Sequence, residues 1–146
     1  MNRILITGVA GLLGSRLASW IIENTNYEVI GIDDLSGGYT ENIHHKVKFY
    51  KFNLNNLESL KGVFEKEKIK IVYHFAAYAA EGLSPFIRKY NYDNNLITST
   101  NLITCSIQYN ISRFVFASSM SVYGDKYKPP FNEDMQQAPI DPYAVA

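Results

Sequence analysis

The sequence predicts an α/β protein built on a doubly wound parallel sheet with helices on both faces. Strand-length apolar runs alternate with helical periods along the whole chain, a pattern that favours parallel strands joined by helical crossovers. The segment Arg3-Ile4-Leu5-Ile6-Thr7 breaks straight into the glycine-spaced run Gly8-Val9-Ala10-Gly11-Leu12-Leu13-Gly14, a strand turning directly into an amphipathic helix. At 146 residues and 47% hydrophobic content the chain is one domain's worth, with enough apolar material to bury a core.

Strands are expected near residues 3–7, 28–33, 47–52, 70–76 and 113–118, and helices near 11–24, 57–67 and 85–109. Helical spacing puts Leu13, Leu17, Trp20 and Ile21 on one face of the first helix, expected to cover the sheet. The second strand ends on the acid pair Asp33-Asp34 before Leu35-Ser36-Gly37-Gly38. Ser84-Pro85 reads as a cap followed by proline, the start of the third helix. Gly37-Gly38 and the stretch from Lys126 to Ala138, followed by Pro139, mark two long loops.

Composition narrows the function classes. The formal net charge is zero, so nothing points to nucleic acid. The apolar runs fall short of the roughly 20 residues that span a bilayer, and no signal-peptide pattern precedes Arg3, so no membrane association and a cytoplasmic location are expected. The single cysteine, Cys105, sits among Leu102, Ile103 and Ile107 and reads as a small buried hydrophobe. His44, His45 and His74 lack ligand spacing, so no metal is expected. His74 and Tyr123 read as packing residues.

The glycine run suits a pyrophosphate. Gly8 lets the chain leave the strand sharply, Gly11 removes a Cβ where the ligand nears the backbone, and Gly14 allows close packing of helix and strand. The anion would rest on unpaired N–H groups at the helix start. Asp33 falls about 20 positions on, at the end of the second strand, where a carboxylate accepts hydrogen bonds from the adenosine ribose. It would also repel a 2′-phosphate, so this Rossmann-type site is expected to take NAD rather than NADP. Asp34 reads more readily as a turn acid.

Thr7-Gly8-Val9-Ala10-Gly11-Leu12-Leu13-Gly14 fits a TGxxGxxG pattern, and Val72-Tyr73-His74-Phe75-Ala76-Ala77, Phe114 to Asp125 and Asp141-Pro142-Tyr143-Ala144-Val145-Ala146 follow in order. With these motifs the chain resembles, from end to end, the extended short-chain dehydrogenase/reductases, especially the NAD-dependent nucleotide-sugar epimerases of the UDP-glucose 4-epimerase type. The resemblance implies that Tyr143 is the catalytic base and Ser119 the partner of the reacting oxygen. Ser118 and Ser121 are rivals on the same loop; the register of Val122-Tyr123-Gly124 selects Ser119. It implies cofactor contacts from Gly8, Gly11, Leu12, Leu13, Gly14 and Asp33, from Phe75, Ala76 and Ala77 beneath the nicotinamide ribose, and from Ser118 and Tyr143. Asn53-Leu54 stands where the family has Asp and an aliphatic residue toward adenine, with the Asn carbonyl still able to accept. Ala79 stands where some epimerases carry a lysine near the phosphates, and Asn95, with Ser119, is implied on the substrate side.

The implied reaction is epimerisation of a nucleotide-sugar, a UDP-sugar first of all, through a transient keto-sugar as hydride passes to NAD and back. Related dehydratases carry Thr-Asp-Glu where this chain has Ser119-Met120-Ser121, which disfavours dehydration and leaves decarboxylation or reduction as alternatives. The Tyr-x-x-x-Lys pair would need a lysine at position 147, one past Ala146. An unassisted phenol, with a pKa of about 10, is less than about 1% ionised at neutral pH, so this chain is expected to be inactive. It is expected to be an amino-terminal fragment, residues 1–146 of an NAD-binding domain, truncated before the last strands and the substrate domain. A dinucleotide-binding module without turnover, or a redox-sensing regulator on the same fold, is the reading from another class. The family's dimers form through a four-helix bundle that would use the helix near 85–109, so the parent is expected to be a homodimer.

Overall fold

A computed structural model describes residues 3–146. Five strands, β1 (Arg3–Thr7), β2 (Glu28–Asp33), β3 (Lys48–Lys51), β4 (Ile71–His74) and β5 (Arg113–Phe116), form one sheet in the order β3-β2-β1-β4-β5. Every neighbouring pair is parallel. The chain winds outward from β1 to one edge, then crosses back to β4 and continues to the other edge. The reversal lies between β1 and β4, where Thr7 pairs with Ile32 on one side and His74 on the other. In open α/β sheets that switch point, at the carboxyl ends of the strands, is where ligands bind.

Strand alternation sends side chains to two cores. Leu5, Ile30, Ile32 and Val72 pack with Leu60, Val63 and Phe64 of α2 (Leu57–Glu67) and Leu102 and Cys105 of α4 (Thr98–Gln108) on one face. Ile4, Ile6 and Val29 pack with Ala18 and Ile21 of α1 (Leu12–Asn24) on the other. The fold is therefore the doubly wound parallel sheet with helices on both faces that the sequence predicts. α2 begins where the Asn56 side chain accepts from Ser59 N at 3.0 Å, an N-cap of the kind worth about 1 kcal/mol. Cys105 is fully buried, as its apolar setting suggested.

Three local expectations need correction. The inward face of α1 is Gly14, Ser15, Ala18 and Ile21, whereas Leu13 and Trp20 are 62% and 58% exposed. A Cβ at position 14 would fall 2.2 Å from Gly8 O, so helix and turn touch there. That contact orients the helix with 14, 18 and 21 inward. The third helix starts at Arg88 rather than 85 and runs unbroken to Gln108 as α3 (Arg88–Tyr92), a π-helical turn (Asp93–Ile97) and α4. Ser84 does not cap it; its hydroxyl donates to Glu81 O at 2.7 Å and closes a 3-10 turn, while Ile87 caps α3 without a side-chain bond. Finally, β4 and β5 stop at His74 and Phe116, short of 76 and 118; after β4, Ala76 N turns to the Thr7 hydroxyl at 3.2 Å.

Candidate functional site

Two adjoining cavities open over the carboxyl ends of the strands. One, of about 220 Å³, is bounded by Gly8, Gly11, Asp33, Asp34, Asn53, Leu54, Tyr78 and Tyr90 among others. The second, of about 80 Å³, is bounded by His74, Asn95, Ser99, Ser118, Ser119, Val122 and Tyr143. Phe75, Ala76 and Ala77 wall both, so the segment after β4 joins the two halves of one groove.

The glycine turn forms the floor of the larger cavity. Gly8 lies at φ +69°, a left-handed conformation that side chains rarely adopt, and a Cβ there would fall 2.7 Å from Ala76 N. Gly11 caps α1 without a side-chain bond, and the first bond back to it is from Ser15 N at 3.0 Å. The N–H groups ahead of Ser15 thus point off the helix start without helical partners, the arrangement that receives anions. Leu12 and Leu13 belong to that first turn, with their side chains exposed.

Both oxygens of Asp33 already hold the turn: Oδ2 accepts from Ala10 N at 2.9 Å and Oδ1 from Leu35 N at 2.8 Å. These bonds leave each oxygen with accepting capacity to spare, and Asp33 lines the larger cavity. Asp34 accepts from Ser36 N and Oγ at 2.9 and 2.6 Å and from Asn53 Nδ2 at 2.7 Å. Burial would raise its carboxyl, but these bonds outweigh it and hold the group below its ordinary range. Asn53 is more committed than the sequence suggests, because its carbonyl also accepts from Asn55 N at 2.9 Å. One lone pair remains for a ligand. Leu54 is buried on the same wall.

The smaller cavity gathers Ser118, Ser119 and Tyr143. Ser119 starts a 3-10 turn (Met120–Tyr123), where its Oγ accepts from Ser121 N at 3.2 Å and lies 3.2 Å from Ser121 Oγ. Ser121 does not line the cavity. Tyr143 lies on α5 (Pro142–Val145), which Asp141 caps by accepting from Ala144 N at 2.9 Å, with Pro142 in its first turn. Asn95 borders this cavity, but its amide clasps the backbone of Tyr78: Oδ1 accepts from Tyr78 N at 2.7 Å, and Nδ2 donates to Tyr78 O and to Asn91 Oδ1, both at 3.1 Å. Asn95 thus borders the smaller cavity as a brace.

Sequence reasoning missed several polar groups here. Asn91, fully buried, donates to Pro142 O at 2.9 Å and ties α3 to the helix of Tyr143. Its position four residues before Asn95 was the available signal. His74 does pack, with ring centroids 6.2 Å from Phe114 and 5.6 Å from Phe116. It also bonds Thr7 Oγ1 at 2.6 Å and Ser99 Oγ at 2.9 Å. Burial pushes its pKa down to about 4, so the ring is neutral at physiological pH. Among the described residues no cluster of His, Cys, Asp and Glu could hold a metal ion, and no helix is long and apolar enough to cross a membrane.

The description of the family model that matches residues 4–146 is NAD dependent epimerase/dehydratase family. UDP-glucose 4-epimerase uge1 of Schizosaccharomyces pombe is 34% identical over 151 positions, spanning 96% of this chain and 42% of that one. The structure of UDP-glucose 4-epimerase with UDP-glucose from Thermotoga maritima superposes with a TM-score of 0.93 at 34% identity, covering 98% of this chain and 47% of that one. That of UDP-glucose 4-epimerase from Brucella ovis in complex with NAD gives a TM-score of 0.92 at 28% identity, covering 99% and 44%. The chain spans less than half the length of each of these relatives.

Proposed function

Because the chain belongs to the NAD dependent epimerase/dehydratase family, we propose that its residues form the cofactor half of a nucleotide-sugar 4-epimerase acting on a UDP-hexose. The observation that carries this reading is the single groove in which a glycine turn with an adjacent carboxylate shares a wall with Ser119 and Tyr143. NAD fits the residues present: a Cβ at Gly8 or Gly14 would collide with backbone, and Asp33 has lone pairs to offer a ribose. Gly8, Gly11 and the N–H groups of Leu12 to Gly14 would hold the pyrophosphate, Asp33 the adenosine ribose, and Asn53 and Leu54 the adenine. Phe75 to Ala77, Ser118 and Tyr143 would border the nicotinamide ribose.

When bound, NAD supplies hydride acceptance and return. The chain's own part is proton transfer and orientation: Tyr143 Oη takes and returns the sugar hydroxyl's proton, and Ser119 Oγ orients the reacting oxygen.

The test is to supply NAD with UDP-glucose or UDP-galactose and follow their interconversion. Interconversion that falls at least about a hundredfold in Tyr143→Phe supports the reading. A dehydrated or decarboxylated product, or a rate indifferent to Tyr143→Phe, overturns it. One observation favours a second reading, a dinucleotide-binding module without turnover: among the described residues no lysine or arginine lines the cavity of Tyr143. NAD binding with no conversion of either sugar would select that reading.

A further inference from the structure

Thr7, His74, Ser99 and Asn95 form a hydrogen-bond chain whose direction is set by proton count. Ser99 Oγ lies 2.5 Å from Asn95 O. A carbonyl only accepts, so the single Ser99 hydroxyl proton goes to it. Facing His74 Nε2 at 2.9 Å, Ser99 can then only accept, so Nε2 carries the imidazole proton. Nδ1 of the neutral ring is left bare and accepts from Thr7 Oγ1 at 2.6 Å. Thr7 Oγ1 in turn accepts from Ala76 N at 3.2 Å. Every proton has one acceptor; reversal would set the Ser99 and Asn95 oxygens against each other without a proton between them, a costly arrangement in a buried site.

The ends of this chain are what give it a role. Thr7 directly precedes Gly8 at the floor of the larger cavity. Asn95 clasps Tyr78 and Asn91, and Asn91 holds Pro142 O beside Tyr143. We propose that His74 is a positioning residue that couples the glycine turn to the bend bearing Asn95 and, through Asn91, to the helix of Tyr143. Coupling to cofactor occupancy rests on the proposed NAD site, whereas the direction of the hydrogen bonds does not.

Two-bond proton–nitrogen correlation spectra of the chain near neutral pH test the direction first. His74 is expected as the neutral Nε2–H tautomer; the Nδ1–H tautomer or an even mixture would overturn the proposal. Thr7→Val, which keeps the shape and removes the hydroxyl, should shift the His74 nitrogens and the amides of Tyr78, Asn95 and Ala144. Shifts confined to the immediate contacts of Thr7 would contradict it. In the NAD titration, the side-chain amide of Asn91, which lines neither cavity, should move in the unmodified chain and stay still in His74→Phe, with affinity lowered at least about fivefold. A purely structural His74 would lower the melting temperature of His74→Phe and leave the Asn91 shift on NAD binding intact, which also overturns the coupling. If the unmodified chain binds no NAD, the cofactor reading fails, and the tautomer and Thr7→Val spectra decide the proposal.

Discussion

At the amino ends of the strands, Glu67 is fully buried and meets Lys48 Nζ at 2.6 Å, Tyr50 Oη at 2.5 Å and Arg3 Nη1 at 3.5 Å, while Arg3 Nε holds Glu28 at 2.6 Å. At the carboxyl ends, buried polar side chains such as Thr7, His74, Asn91 and Asn95 are neutral and joined by hydrogen bonds, and a helix start is left without a side-chain cap. The first end spends its charge internally, tying α2 to β1 and β3. The second keeps N–H donors and the lone pairs of Asp33 free above a neutral scaffold. Closure by charge and openness to a ligand are divided between opposite ends of one sheet.

Removing the charge at the closed end should produce the largest loss of stability. Glu67→Ala removes the carboxylate shared by Lys48, Tyr50 and Arg3 and leaves a gap in the core, and is expected to lower the urea midpoint more than any change at the open end, while NAD affinity of the folded fraction is unchanged. A parallel loss of NAD affinity would show that the two ends are not separable.

Acid should separate the ends by pH. The folded-state pKa of His74 is depressed to about 4 from an ordinary 6.5, so the unfolded chain binds the extra proton. Stability is complete above about pH 6.5 and falls as the pH drops toward 4, by about 3 kcal/mol in all. Burial pulls the Glu67 carboxyl upward, but Lys48, Tyr50 and Arg3 together hold it below its ordinary range. Its contribution is therefore lost only at lower pH, as the carboxylates protonate. Unfolding free energies measured from pH 7 downward should lose the first component in His74→Phe and the second in Glu67→Gln.

Smaller effects are expected at the open end. Gly14→Ala would put a Cβ 2.2 Å from Gly8 O and should cost about 2 kcal/mol as turn and helix part, with NAD binding lost as well. Asp33→Asn keeps an acceptor but presents an amide to one of the turn's N–H groups. It should weaken NAD about tenfold, about 1.4 kcal/mol, measured by calorimetry, and narrow the preference over NADP.

The sequence was informative where a feature is local. The β-branched runs of β1 and β2, the spacing of Gly8, Gly11 and Gly14, and the position of Asp33 at a strand end all depend on neighbours within a few residues. The π-helical turn at Asp93–Ile97 could not be read that way, because the Asn95 amide that braces it bonds Tyr78, 17 residues back. The face of α1 was misread because Leu13 and Trp20 carry an apolar signal that outweighs Gly14 in any periodicity. What orients the helix is its contact with Gly8, which appears only once the turn has formed. His74 was read as packing because its two polar partners come from β1 and α4.

Calorimetric titration of the chain with NAD and, separately, NADP shows whether the open end of the sheet is an NAD site with Asp33 at its ribose edge. One NAD per chain is expected, abolished by Gly8→Val, with NADP weaker by at least about tenfold, as expected of a carboxylate facing a 2′-phosphate. Equal affinity for the two dinucleotides, or binding that survives Gly8→Val, would contradict it.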